Sequence, residues 1–294
     1  MRWLVGLMVF CFLTVGALAA GPKFPDDYTR RDAAYEKAIT GNGDEPVLNH
    51  LPYKSEPEPA ALNTKPELWG VDRRSKPRLC QLLPEPKKAL IGLLAYVNAQ
   101  KLDDGRKLFA YSCYRRINDQ IDLFCSADGH PGWCRKPEDR AKSSAPSRYS
   151  EHATGYTLDF TTCKTVGLKN TPSDCGELTE DFAGTSAGQV LATVAGQYGF
   201  ELSFPCAEFG ITIDGKQKCK KTRQGVTYEP WHWRWVGANG SAKTTEDLPA
   251  GAVDARKIFA RARKCFAAVP GIDPVPLGAS ETDLSFECPP PYDR

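Results

Sequence analysis

Two stretches of this chain gather the side-chain types that hydrolytic metal sites use. The first is Ser150-Glu151-His152-Ala153-Thr154-Gly155-Tyr156-Thr157-Leu158-Asp159. The second, further along, is Tyr228-Glu229-Pro230-Trp231-His232-Trp233-Arg234. They offer two imidazoles with a carboxylate near each. Two neutral imidazoles and one carboxylate make a three-ligand catalytic zinc site that keeps a fourth position open. His152, Asp159 and His232 are the candidate ligands. Glu229, the remaining carboxylate, can then act as general base toward water.

A third stretch lies upstream, Ser112-Cys113-Tyr114-Arg115 with Gln120 five residues past the arginine. Taken in order, Ser-x-Tyr-Arg, Ser-x-His-x-x-Gly-x-x-x-Asp and Glu-x-Trp-His resemble the zinc D,D-carboxypeptidases of the VanY type. Tyr198-Gly199-Phe200, Phe204-Pro205 and Val236-Gly237 are further matches, and the resemblance runs over roughly residues 85 to 240. It implies an α+β fold, a small antiparallel sheet backed by helices with the zinc cleft on its open face, as in hedgehog domains and D,D-peptidases. It implies one Zn2+ per chain, and a peptidoglycan stem peptide ending in D-alanine as partner. Arg115 would bind the terminal carboxylate, which a forked guanidinium suits. Ser150, Gln120 and Tyr114 would line the site, and Trp231 its wall. Ala153, Thr157 and Arg116 depart from the family's usual residues, which touches substrate preference rather than catalysis. L,D-carboxypeptidase and endopeptidase activity are alternatives on the same site. An inactive wall-binding or hedgehog-like zinc module is the non-enzymatic one.

The elements that must position these groups follow from periodicity. Leu90, Leu94 and Val97 predict a helix over 86–102. Lys107 to Ser112 reads as a strand, and a second helix starts at Arg115 with Ile117, Ile121 and Phe124 on one face. After Gly155, Tyr156, Leu158 and Phe160 alternate with Thr157 and Asp159, which is strand periodicity. Asp is disfavoured inside strands, so Asp159 calls for a partner such as a metal. A helix over 185–198 and a strand over 200–204 follow. Glu229 and His232 are three apart, yet both must face one ion. Residues three apart in a strand point to opposite faces, so the strand must begin only after Pro230.

The flanks are of another kind. Residues 1–20 read as a secretory signal: Arg2, an apolar run from Leu4 to Val15 too short for a good span, and Ala17-Leu18-Ala19. Export to the periplasm or exterior of a bacterium follows, with no stable membrane span after cleavage. Residues 21–84 form a Pro-rich arm that includes His50 in a solvated loop. Residues 85–240 form the catalytic domain. Residues 241–294 form a C-terminal helix, Gly251 to Phe266, and a tail pinned by Cys288. In that helix Ala255, Ile258, Phe259, Ala262, Cys265 and Phe266 make the inner stripe, and Arg256, Lys257, Arg261 and Lys264 fall largely on a solvated face.

Net charge is only +2, and no basic stripe with interleaved aromatics occurs, so a nucleic-acid role has no support. Oligomeric state has no signature. Ten of the 11 cysteines lie after the signal, which in an exported chain argues for disulfides. Cys163 with Cys175 and Cys206 with Cys219 are the first local pairs, and Cys125 with Cys134 the next. Cys80, Cys113, Cys265 and Cys288 then pair among themselves in an open order. His130 sits between Cys125 and Cys134, as a loop histidine near the site mouth. The run Lys216 to Lys221 reads as a solvated loop.

Overall fold

The computed structural model describes residues 63–64, 70–71, 77–78, 80–116, 119–120, 123–124, 140, 142–145, 149–164, 175–176, 178–211, 217–222, 226–237, 248, 251–260, 262–263 and 292–293. The signal stretch, His50, His130, Cys125 with Cys134, Cys265 and Cys288 lie outside the described residues.

Short strands β1 (Asn63–Thr64), β2 (Gly70–Val71), β3 (Pro77–Arg78) and β4 (Gln81–Leu82) lead into helix α1 (Pro84–Ala99). Pro84 stands at the helix start, where its missing N–H costs nothing. Leu90, Leu93, Leu94 and Val97 repeat at helical spacing and are all buried. Strand β5 (Lys107–Ser112) matches the predicted segment. Beyond it Asp119, Gln120, Leu123 and Phe124 are helical, as predicted, but the helix does not start at Arg115, since Arg115 and Arg116 are still in the connecting segment.

A single 3-10 turn, Glu151–Thr154, ends at Gly155 in the left-handed region (φ 75°) and launches β6 (Thr157–Cys163). Helix α2 (Ser186–Val194) is capped by the Thr185 hydroxyl, which accepts from Gly188 N–H at 3.0 Å. A 3-10 turn, Ala195–Tyr198, completes the predicted helical stretch. Then come β7 (Phe200–Leu202), β8 (Cys206–Ile211), β9 (Gln217–Thr222), β10 (His232–Trp235), helix α3 (Ala252–Ile258) and β11 (Tyr292–Asp293).

The central sheet has the order β5-β6-β10-β7, antiparallel throughout. Strand alternation gives it two unlike faces. Leu108, Ala110, Leu158, Phe160, Phe200, Trp233 and Trp235 join the side chains of α1 and α2 in one apolar core. On the other face the register sets His232 opposite Asp159 and Arg234 opposite Glu201. The fold is therefore α+β, a small antiparallel sheet backed by helices.

Three disulfides are described. Cys163–Cys175 and Cys206–Cys219 join the expected partners, and Cys80–Cys113 supplies a pairing that spacing left open. Two expectations are corrected. From Gln217 on, the Lys-rich run is no loop: it forms β9, which pairs antiparallel with β8 from Cys206 opposite Thr222 to Ile211 opposite Gln217, and β11 adds to its edge. Nor is Arg256 on a solvated face. It is buried beside α3's apolar stripe and donates through Nε to Val236 O at 2.8 Å. Helical bonding continues past α3, with Arg263 N–H on Phe259 O. This turns Arg263 inward as well, and it is fully buried.

Candidate metal centre and active site

Sheet register brings the two metal segments together. Asp159 in β6 and His232 at the first position of β10 are cross-strand neighbours, so they share a face. β10 begins only after Pro230, as the three-residue spacing required. His232 N–H closes a turn onto Glu229 O at 3.0 Å, which folds Glu229 back toward the imidazole. A register shift between Ala110 and Ser112 in β5 lies beside Asp159, a bulge of the kind that re-aims side chains next to active sites. His152 arrives from the 3-10 turn.

Each imidazole's tautomer follows from what its second nitrogen touches. His152 Nδ1 lies 2.7 Å from Cys113 O, and a carbonyl only accepts, so Nδ1 carries the hydrogen and Nε2 faces inward. His232 Nε2 lies 3.3 Å from Glu151 Oε2 and must donate to it, which leaves Nδ1 for the site. The inward atoms meet on Asp159: His152 Nε2 lies 3.3 Å from Oδ2 and His232 Nδ1 lies 3.1 Å from Oδ1. The ligand atoms of His152, Asp159 and His232 all lie within 4.8 Å of one another.

These residues fit zinc. Tetrahedral ligands about 2.1 Å from an ion stand about 3.4 Å apart, close to the two contacts on Asp159. Asp159 Oδ1 is buried, and the polar atom it faces is His232 Nδ1 at 3.1 Å. With a neutral His232 ring, Oδ1 and Nδ1 face each other as two lone pairs, and a cation between them removes that conflict. Two imidazoles and a carboxylate are the donors zinc takes.

Electrostatics agree. Burial disfavours the Asp159 charge, but the His152 charge and hydrogen bond, then those of His232, hold its carboxyl well below the usual range. Burial lowers the His152 pKa, and the Arg115 charge adds to this against Asp159, which keeps the ring neutral and able to ligate. Burial would lower His232 too, but hydrogen bonds to Asp159 and Glu151 and the charges of Asp159 and Glu229 outweigh it. The ring is pushed up to about 10, so a metal must displace a proton there.

Glu229 has one oxygen 3.5 Å from His232 Nδ1 and is nearly buried. Burial is the main cause pushing its carboxyl up to about 8; the Asp159 and Glu151 charges add, while His232 and Arg115 oppose. A carboxylate so placed is matched to proton transfer near neutral pH.

The Arg115 guanidinium is held by the Gln120 side-chain oxygen and by Ser112 Oγ at 2.8 Å, and its backbone N–H bonds to His152 O at 3.1 Å. Gln120 is buried and donates to Ala145 O. Tyr114 is half-buried, its N–H on Gln81 O. Ser150 is buried, and its carbonyl accepts Ala153 N–H at the head of the 3-10 turn. Trp231 is partly buried against the core. The structure thus gathers His152, Asp159, His232 and Glu229, with Arg115 bonded to the His152 backbone. Sequence reasoning gave no role to Glu151, nor to Phe204, whose ring stands 4.7 Å from that of His232 and walls the site.

Comparison with known proteins bears on the same segment. The VanY family model, described as D-alanyl-D-alanine carboxypeptidase, matches residues 85–238. YodJ of Bacillus subtilis (strain 168), named as a putative carboxypeptidase, is 30% identical over 165 residues, 55% of this chain and 49% of YodJ. The chain thus spans about half the length of that relative. A structure of the LdcB LD-carboxypeptidase aligns at 23% identity and a TM-score of 0.42, over 64% of this chain and 74% of that one. VanYB in complex with D-alanine-D-alanine aligns at 16% identity and a TM-score of 0.38, over 72% and 88%. The family match covers more than half of the 294 residues and contains the candidate ligands His152, Asp159 and His232 together with Glu229 and Arg115, and by that match the chain belongs to the VanY family.

Proposed function

We propose that this protein is a zinc-dependent carboxypeptidase that removes the terminal D-alanine from peptidoglycan stem peptides. The observation that carries the reading is the buried His152, Asp159 and His232 set with Glu229 beside it. His152 would ligate through Nε2, His232 through Nδ1 and Asp159 through its carboxylate, one zinc per chain. Zinc, when bound, supplies Lewis acidity: it polarises the scissile carbonyl and makes water acidic enough to attack near neutral pH.

The chain's own residues do the rest. Arg115, anchored by Gln120 and Ser112, grips the substrate's terminal carboxylate and sets the preceding carbonyl over the triad. Glu229 takes the proton of the attacking water as the new C–O bond forms. It returns that proton to the amine as the C–N bond breaks, and the product is a shortened peptide and free alanine. Phe204 and Trp231 limit water at the site, which strengthens these interactions. The reading places the enzyme outside the cytoplasm, in the periplasm or beyond; its disulfides suit an oxidising compartment. Among the described residues no helix is long and apolar enough to cross a membrane.

The test uses the purified protein, its metal content, and defined muropeptides followed by mass spectrometry. About one zinc per chain and loss of a single alanine from pentapeptide stems support the reading. Loss of alanine only from tetrapeptide stems replaces D,D with L,D specificity. Cleavage of intact cross-bridges replaces carboxypeptidase with endopeptidase activity. Full zinc and turnover in a His152→Ala protein overturn the site.

A further inference from the structure

The carboxylate behind His232 is one end of a buried chain of charges. Glu151 Oε2 accepts from His232 Nε2, and Glu151 Oε1 takes Arg234 Nη1 at 2.8 Å. Arg234 Nε donates to Glu201 Oε1 at 2.7 Å, and Arg263 Nε donates to Glu201 Oε2 at 3.1 Å. All four side chains are at most 3% exposed. The Phe259 ring lies under the Arg234 guanidinium at 5.3 Å, so the C-terminal helix touches this chain at two points. Arg263 and Phe259 fall outside the segment that matches the family.

Stability alone explains such an arrangement poorly. Taking charges out of water is costly, and apolar residues of like volume are often as stable or more so. What the chain does have is a directed end. Glu151 can only accept, so it fixes which nitrogen of His232 faces the triad. Glu151 also adjoins His152 in sequence, and Arg234 is the same-face neighbour of His232 two residues along β10. Their ion pair therefore ties the turn carrying one ligand to the strand carrying another.

We propose that Glu151 is a positioning residue for the metal ligand His232, and that Arg234, Glu201 and Arg263 hold it there. The C-terminal helix is then part of the support of the metal site. This rests on the reading of His232 as a ligand. Carboxylates behind metal-bound histidines are worth roughly 10- to 100-fold in metal affinity or activity.

The test measures the zinc dissociation constant of the folded full chain by competition with a chromophoric chelator. Glu151→Gln should weaken zinc about 10- to 100-fold. Arg263→Gln, at the far end, leaves the Glu151–Arg234 pair in place and keeps the test open if Glu151→Gln does not fold. It should weaken zinc by several-fold, and Arg263→Lys should recover most of the loss. Leu191→Ala, in the core on α2, controls for stability: it lowers the melting temperature and leaves zinc affinity as in wild type. The proposal is overturned if the folded variants bind zinc within twofold of wild type, or if Leu191→Ala loses as much affinity at a matched melting temperature. If His232→Ala binds zinc as tightly as wild type, the ligand assignment itself fails instead.

Discussion

Replacing Arg115 by alanine tests whether this site reads a free carboxyl terminus. The guanidinium is fixed by Gln120 and Ser112, so little ordering is left to do when a carboxylate arrives. Removing the cationic partner of a buried charge pair costs about 2–5 kcal/mol. Arg115 is only half-buried, and solvent screening places it at the lower end, about 2–3 kcal/mol. At 1.36 kcal/mol per tenfold, that is roughly a 30- to 150-fold loss in kcat/KM on a free-acid stem peptide. Ser112→Ala removes one anchor and keeps the charge, so its loss should be about tenfold or less. The assay compares wild type and both variants on two peptides that differ only in a terminal acid or amide. The amide is a poor substrate for wild type and should be little affected by either change. Equal cleavage of acid and amide by wild type, or an equal fall on both in Arg115→Ala, refutes the assignment.

Two further outcomes follow from the same site. Glu229→Gln should keep its fold and its zinc while turnover falls roughly 100- to 10,000-fold, because only the proton acceptor is gone; loss of zinc, by metal analysis, would make Glu229 a ligand. Zinc uptake near pH 7 should release protons, since His232 (about 10) and Glu229 (about 8) both hold them without metal. Affinity should rise about tenfold per pH unit for each proton released, and calorimetry in buffers of differing ionisation enthalpy counts them. Metal-free stability should move the other way. Both folded-state pKa values are raised, so both contributions are present at low pH and are lost as pH rises through about 8 and about 10. Absence of proton release would contradict this.

How far the sequence could be read depended on whether a signal was local. His152, Asp159, His232 and Glu229 stood out because two imidazoles and a strand-interior aspartate have few other uses. The late start of β10 followed from the three-residue spacing once Glu229 and His232 were assigned to one site. Glu151 did not stand out, since an acid at the head of a turn is ordinary there. A signal was available: Arg234 lies inside a strand as Asp159 does, and an arginine between Trp233 and Trp235 also needs a partner. That partner, Glu201, is set by β10–β7 register, a long-range fact that no short pattern carries. Arg256 misled for a related reason, because helical periodicity sorts charged from apolar residues and a buried arginine breaks that sorting. The β8–β9 hairpin was hidden by a lysine-rich composition that suits an exposed edge as well as a loop.

The Cys80–Cys113 bond bears on the order in which the molecule becomes competent. Cys113 is the residue whose carbonyl accepts the His152 ring hydrogen, and Tyr114 and Arg115 follow it directly. Next to it, Tyr114 N–H pairs with Gln81 O on β4, so a covalent and a hydrogen-bonded tie lie side by side. Joining residues 33 positions apart removes about 4 kcal/mol of chain entropy from the unfolded state. While the two thiols stay reduced, the segment that sets the His152 tautomer and aims Arg115 lacks that covalent anchor. Oxidation is thus a step of site assembly as well as of folding, and the fastening of the segment that carries Arg115 depends on where the chain matures.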